Sequence, residues 1–175
     1  MKRVLVYFIL ILLISCKEVT YKEPQPKGIK KLHSIPSSLQ GRYILPDDNR
    51  AIRDTLVVQS NRYFASSDPH GGSILSDSLL LKYHEGFYFI NINDRPEWLL
   101  RVIQQEKNGD ITCYMLQAED SVFHDMLQHL SKEIQVDSTV LKNETLYQID
   151  PSSKKLISLI QKGYFKKTAT LKKIQ

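Results

Sequence analysis

Five histidines and two cysteines supply the metal-ligating and nucleophilic side chains of this 175-residue chain, and their spacing limits what they can do together. His124 and His129 are five apart, which sets them on different faces of a helix. Asp125 and His129 are four apart and can meet on one face, a spacing that suits an exposed ion pair. The stretch Asp68-Pro69-His70-Gly71-Gly72 is the best catalytic-looking loop, because its glycines leave backbone groups accessible beside Asp68 and His70. Asp-Pro and Gly-Gly are equally ordinary turn chemistry. His84-Glu85-Gly86 reads as a hairpin connection. Asp47-Asp48 falls in a turn, with no apolar surroundings to split the two carboxyl pKa values. A Gly-X-Ser-X-Gly elbow, a phosphate-cradling glycine loop and a cysteine–histidine zinc pattern are all missing from the sequence. No catalytic residue, metal or cofactor is assigned on this basis.

Cys16 is the exception, because of what precedes it. Lys2-Arg3 is followed by eleven apolar residues, Val4 to Ile14, and then by Ser15-Cys16. A basic start and an apolar run of this length follow the plan of a secretory signal. A permanent span needs about 18–20 apolar residues. The tetrapeptide Leu13-Ile14-Ser15-Cys16 resembles the bacterial lipobox. That resemblance implies a signal peptide over residues 1–15, cleavage before Cys16, a diacylglycerol on its thiol and an acyl group such as palmitate on the new amine. Two or more chains hold a protein stably on a bilayer, whereas one does so only marginally. The implied location is the cell envelope, and the outer membrane in a two-membrane host, because Lys17 stands where an aspartate would resemble a retention signal. Cys113 then has no intrachain partner. A disulfide framework is therefore not expected, and Cys113 reads as a small buried hydrophobe.

Charge is uneven along the chain. The formal net charge is +5, yet the last seven lysines, from Lys154 onward, share their segment with no acid. Lys166, Lys167, Lys172 and Lys173 form a cationic end suited to anionic headgroups or an acidic protein partner. Nothing in the chain suggests a nucleic-acid partner.

The elements that must position these residues follow from periodicity. Residues 16–38 carry the lipid-bearing cysteine, Pro24, Pro26, Pro36 and five lysines, and read as a flexible tether. One domain is expected over 39–175. A strand at Leu39 to Ile44 ends at Pro46-Asp47-Asp48-Asn49, and two more flank Ser60-Asn61. The runs "SLLLKY", "FYFINI", "EWLLRVIQ" and "ITCYMLQA" are joined by links too short for anything except an antiparallel meander. Phe87 and Phe89 oppose Tyr88, Ile90 and Ile92; Ile111, Cys113 and Met115 oppose Tyr114 and Leu116. With both faces apolar, the sheet must be covered twice.

Phe123, Leu127, Leu130 and Ile134 mark one covering helix. Leu156, Leu159 and Ile160 mark a second, opened by Asp150-Pro151 and stopped by Gly163. A hairpin around Lys142-Asn143 separates them. The lysine-rich final segment reads as an edge strand, because a central one would bury charge. The fold class is α+β and β-rich: an antiparallel meander curled into a sheet or partly open barrel, with two covering helices.

Gly41-Arg42-Tyr43 at the start of the strands is similar to the Gly-X-Trp opening of lipocalins. That similarity implies a barrel with an apolar pocket, for which Trp98, Phe87 and Tyr114 are the candidate lining rings. Three functions are therefore carried forward. The first is a membrane-anchored, non-catalytic binding or envelope-assembly domain. The second is a lipocalin-like carrier of an apolar small molecule. The third is a hydrolase using Asp68 and His70. A hollow sheet interior would favour the carrier, a filled one the interaction domain.

Overall fold

Strand propensity and turn chemistry divide the described residues into thirteen strands and two α-helices. The computed structural model describes residues 16–45, 54–94, 96–141 and 144–174. The expected signal peptide (1–15), the turn at 46–49 with its paired aspartates, and the hairpin tip at 142–143 lie outside the described residues. The first half contains β1 (Cys16–Tyr21), β2 (Gly41–Ile44), β3 (Thr55–Val58), β4 (Arg62–Ala65) and β5 (Ser73–Ile74). The meander follows as β6 (Leu79–His84), β7 (Phe87–Asp94), β8 (Glu97–Gln105) and β9 (Ile111–Met115). Then come β10 (Gln117–Glu119), α1 (Asp120–Ser131), β11 (Val136–Leu141), β12 (Glu144–Ile149), α2 (Ser153–Gln161) and β13 (Lys166–Ile174).

The short links make β6, β7, β8 and β9 antiparallel neighbours, as the turn signals require. At β8 the sheet forks. Its C-terminal half, Val102 to Gln105, pairs with β9, while Trp98 near its start pairs with Tyr21 of β1. One arm continues β9-β13-β2-β3-β4-β5 and the other β1-β12-β11. The sheet curls without closing into a barrel.

Both faces are covered, but by different means. On one face Phe89, Leu100, Val102 and Leu116 pack against Phe123, Leu127 and Leu130 of α1 and Leu156, Ile157 and Leu159 of α2. Each such fully buried side chain is worth about 1.5–3 kcal/mol in transfer free energy. On the other face Leu81, Ile103, Ile111 and Leu171 meet Tyr43, Leu39 and Ile35, so the curl of the sheet supplies the second cover. Helix α2 begins later than expected. Ser152 is its N-cap, accepting from Lys155 N at 3.2 Å, and Pro151 precedes the cap.

Two expectations are corrected. Residues 16–38 are not a tether: 16–21 form β1, paired in parallel with β12, and Val19 and Tyr21 are fully buried. The segment that follows is a strap. It crosses the helix-covered face, where Gln25 exchanges hydrogen bonds with Asn91 (2.6 and 2.8 Å) and Lys82 Nζ donates to the Pro24 and Pro26 carbonyls (2.8 and 2.9 Å). It then rounds the free edge of β6 at Lys31 and Lys82 and buries Ile35 and Leu39 on the opposite face. Prolines remove backbone donors from this segment, and buried side chains distant in sequence supply hydrogen bonds to its carbonyls.

The final strand is likewise not an edge. β13 pairs with β9 over Lys166 to Leu171 and with β2 over Lys172 to Ile174. Its charges stay out of the core. Lys166 and Lys167 are exposed, Lys172 pairs with Asp110 at 2.7 Å, and Lys173 Nζ lies 5.7 Å from the Tyr43 ring centroid while donating to Ser38 O. Among the described residues no helix is long and apolar enough to cross a membrane.

Candidate functional site

The curl leaves a pocket between the meander β6–β9 and the arm that runs through β13 to β3 and β4, with a volume of about 220 Å³. Strand alternation decides its lining. On β8, Leu100 and Val102 face the helices while Arg101 and Ile103 face the pocket. By the same rule Leu81 and Leu79 of β6, Ile90 of β7, and Ile111, Cys113 and Met115 of β9 point inward. Leu56 and Val58 of β3 form the opposing wall, and Ile35, Leu39 and Leu75 come from the strap and a loop. Such a lining binds apolar matter and offers no acid–base pair. Burial pushes the Cys113 thiol up to about 11, so it is a thiol rather than a nucleophilic thiolate near neutral pH.

Where the sheet forks, the apolar lining ends at an ion pair. Arg101 is the pocket's one charged lining residue among those described. Its Nη1 and Nη2 engage both carboxylate oxygens of Glu18 on β1, Nη2 donating to Oε2 at 3.0 Å, and Nη1 also donates to the Leu100 carbonyl. Burial raises the Glu18 carboxyl above its ordinary range, against the pull of Arg101 and with a push from Asp94. The Tyr21 hydroxyl is also raised, chiefly by burial.

The residues singled out from sequence lie elsewhere. Trp98, Phe87 and Tyr114 do share one face, but it is the helix-covered one, where they pack against the filled core. Phe87 meets Phe89 edge-on at 6.5 Å between centroids. Asp68 and His70 are exposed. The Asp68 carboxylate accepts from Gly71 N at 3.0 Å, and Arg62 donates to the Pro69 and Gly71 carbonyls, so this loop's polar groups hold its own turn. At Gly72, whose φ is +85°, a Cβ would lie 2.2 Å from the Tyr63 carbonyl oxygen, which explains that glycine without catalysis.

His129 Nδ1 donates to the Asp125 backbone carbonyl at 2.8 Å rather than to its carboxylate. The described residues hold no group of three histidines, cysteines or acids that could bind a metal. Cys16 opens β1 and pairs through its backbone with Glu119. The pocket was missed because its walls come from strands far apart in sequence. Arg101 inside "EWLLRVIQ", a charge at an inward position of an apolar strand, was the available signal.

The arrangement defines a forked, curled β-sheet domain with helices on one face and a small apolar pocket on the other. No family model, curated protein or solved structure matches the chain.

Proposed function

We propose that this protein is a lipid-anchored envelope domain that holds a small apolar molecule inside its curled sheet. The observation that carries this is the pocket: about 220 Å³, walled by aliphatic side chains from the meander and from the strands that curl back over it, with no catalytic set converging on it. A cavity of about 150 Å³ lined by Leu, Ile and Phe holds benzene, so this one suits an occupant only somewhat larger. The Leu13-Ile14-Ser15-Cys16 match supports anchoring through acyl chains on Cys16. With β1 starting at Cys16, the anchored domain would sit against the headgroups rather than at the end of a tether.

Cys113 provides the test, because it lines the pocket. Saturating 1-octanol should slow alkylation of Cys113, followed by mass spectrometry, and should raise the melting temperature. Val58→Phe, which adds a ring to the pocket wall, should abolish both effects. Alkylation unaffected by any small apolar molecule would reject the carrier. The interaction domain would then be favoured by the broad open groove between α1 and the start of β13, with a volume of about 1040 Å³.

A further inference from the structure

Resting on the carrier reading, we propose that the ligand is an amphipathic anion, a short aliphatic chain with a carboxylate head, which takes Arg101 from Glu18 on binding. Charge complementarity identifies the head. Among the described residues every other wall of the pocket is apolar or uncharged, and the only charged lining group is a guanidinium at the fork. A guanidinium presents a planar fork that matches a carboxylate bidentately. Glu18 already fills that geometry from within the chain, engaging both terminal nitrogens of Arg101. It acts as an internal stand-in for the ligand head.

The pair is also reachable. Its side chains are 28% and 18% exposed, so a head arriving from solvent can meet Arg101 while the tail enters the pocket. An anion could not simply be added beside Glu18, because two carboxylates at one cation repel, and Asp94 already adds negative charge nearby. Exchange keeps one carboxylate on one guanidinium. Glu18, on the pocket-facing side of a β1 pleat whose Val19 and Tyr21 face the helices, can then turn towards water. The size agrees as well. By proportion to benzene in about 150 Å³, the 220 Å³ pocket takes about nine heavy atoms, close to an octyl tail.

The experiment compares octanoate with 1-octanol by calorimetry on the purified, non-acylated full-length chain. Octanoate should bind about tenfold or more tighter, the scale of one charge-assisted hydrogen bond. Glu18→Gln should strengthen octanoate and leave octanol unchanged. Arg101→Met should erase the preference, and the double variant Glu18→Gln/Arg101→Met should do so with no unpaired buried charge to unfold it. Equal affinities for the two ligands in the native chain, or a preference that survives in the double variant, would overturn the head-group assignment while leaving an apolar carrier. Binding of neither ligand would reject the carrier reading and this proposal with it.

Discussion

Glu133, two residues past α1, shows how single charges tie the helices together. Its carboxylate accepts from Lys155 Nζ at 2.7 Å and from Lys162 Nζ at 2.6 Å, both on or beside α2. Those hydrogen bonds pull its pKa down to about 2. An unfolded glutamate titrates near about 4.3, so between these values the unfolded chain binds more protons than the folded one. Stability from this group is therefore complete above the unfolded value and lost as pH falls towards about 2. Glu133→Gln should lower the urea midpoint at neutral pH and flatten its acid dependence across that window. An identical pH slope in the variant would show that the bridge contributes nothing. At this scale the sequence was legible only as anomaly. Arg101 and Lys82 stand out as charges within apolar strands, yet nothing local tells that one ends a pocket and the other holds a strap. His70 and Asp68 looked more chemical because two glycines follow them, and the structure uses Gly72 for close packing against the Tyr63 and Phe64 backbone.

Elements were readable where their partners are adjacent in sequence. The meander β6 to β9, its two apolar faces and both helical stripes follow from local periodicity and short links. The strap was not readable, because prolines and lysines have the composition of a linker whether or not distant groups meet their carbonyls. Asn91 is the most exacting of those groups: it is buried, and it both donates to and accepts from the Gln25 backbone. Asn91→Ala leaves a buried N–H and a buried carbonyl unpaired, each costing about 1–3 kcal/mol. The variant should lose about 2–6 kcal/mol of stability and show faster amide exchange over residues 24–32. Unchanged exchange there would return the segment to the status of a tether. The final strand was misjudged for a related reason. A strand can be interior and still carry lysines on both faces if it changes partners part-way and its long side chains reach the rim.

For the molecule as a whole, the fork ties the proposed anchor to the cationic end of the chain. β10 pairs Glu119 with Cys16 and Gln117 with Glu18, and two residues upstream Met115 pairs with Lys166. Four residues, bent at Leu116, therefore separate the register of Cys16 from that of Lys166, at most about 13 Å at strand rise. Lys166 and Lys167 are exposed, and no ion pair joins them to an acid among the described residues. A bilayer held by acyl chains on Cys16 would lie within reach of both. Each lysine near an anionic surface contributes about 1 kcal/mol, and that attraction fades within a Debye length of about 8 Å at physiological salt. Two tests separate the anchor from the patch. In a bacterial host, Cys16→Ala should abolish acyl labelling and lipoprotein-type processing, and unchanged labelling would end the lipidation proposal. A chain starting at residue 16 with Cys16→Ala should then bind anionic vesicles weakly and neutral ones not at all. Raising the salt, or introducing Lys166→Gln with Lys167→Gln, should remove that binding. If the paired substitution changes nothing while salt still does, the headgroup-facing surface lies elsewhere on the domain, and these lysines serve to keep the rim of β13 in water.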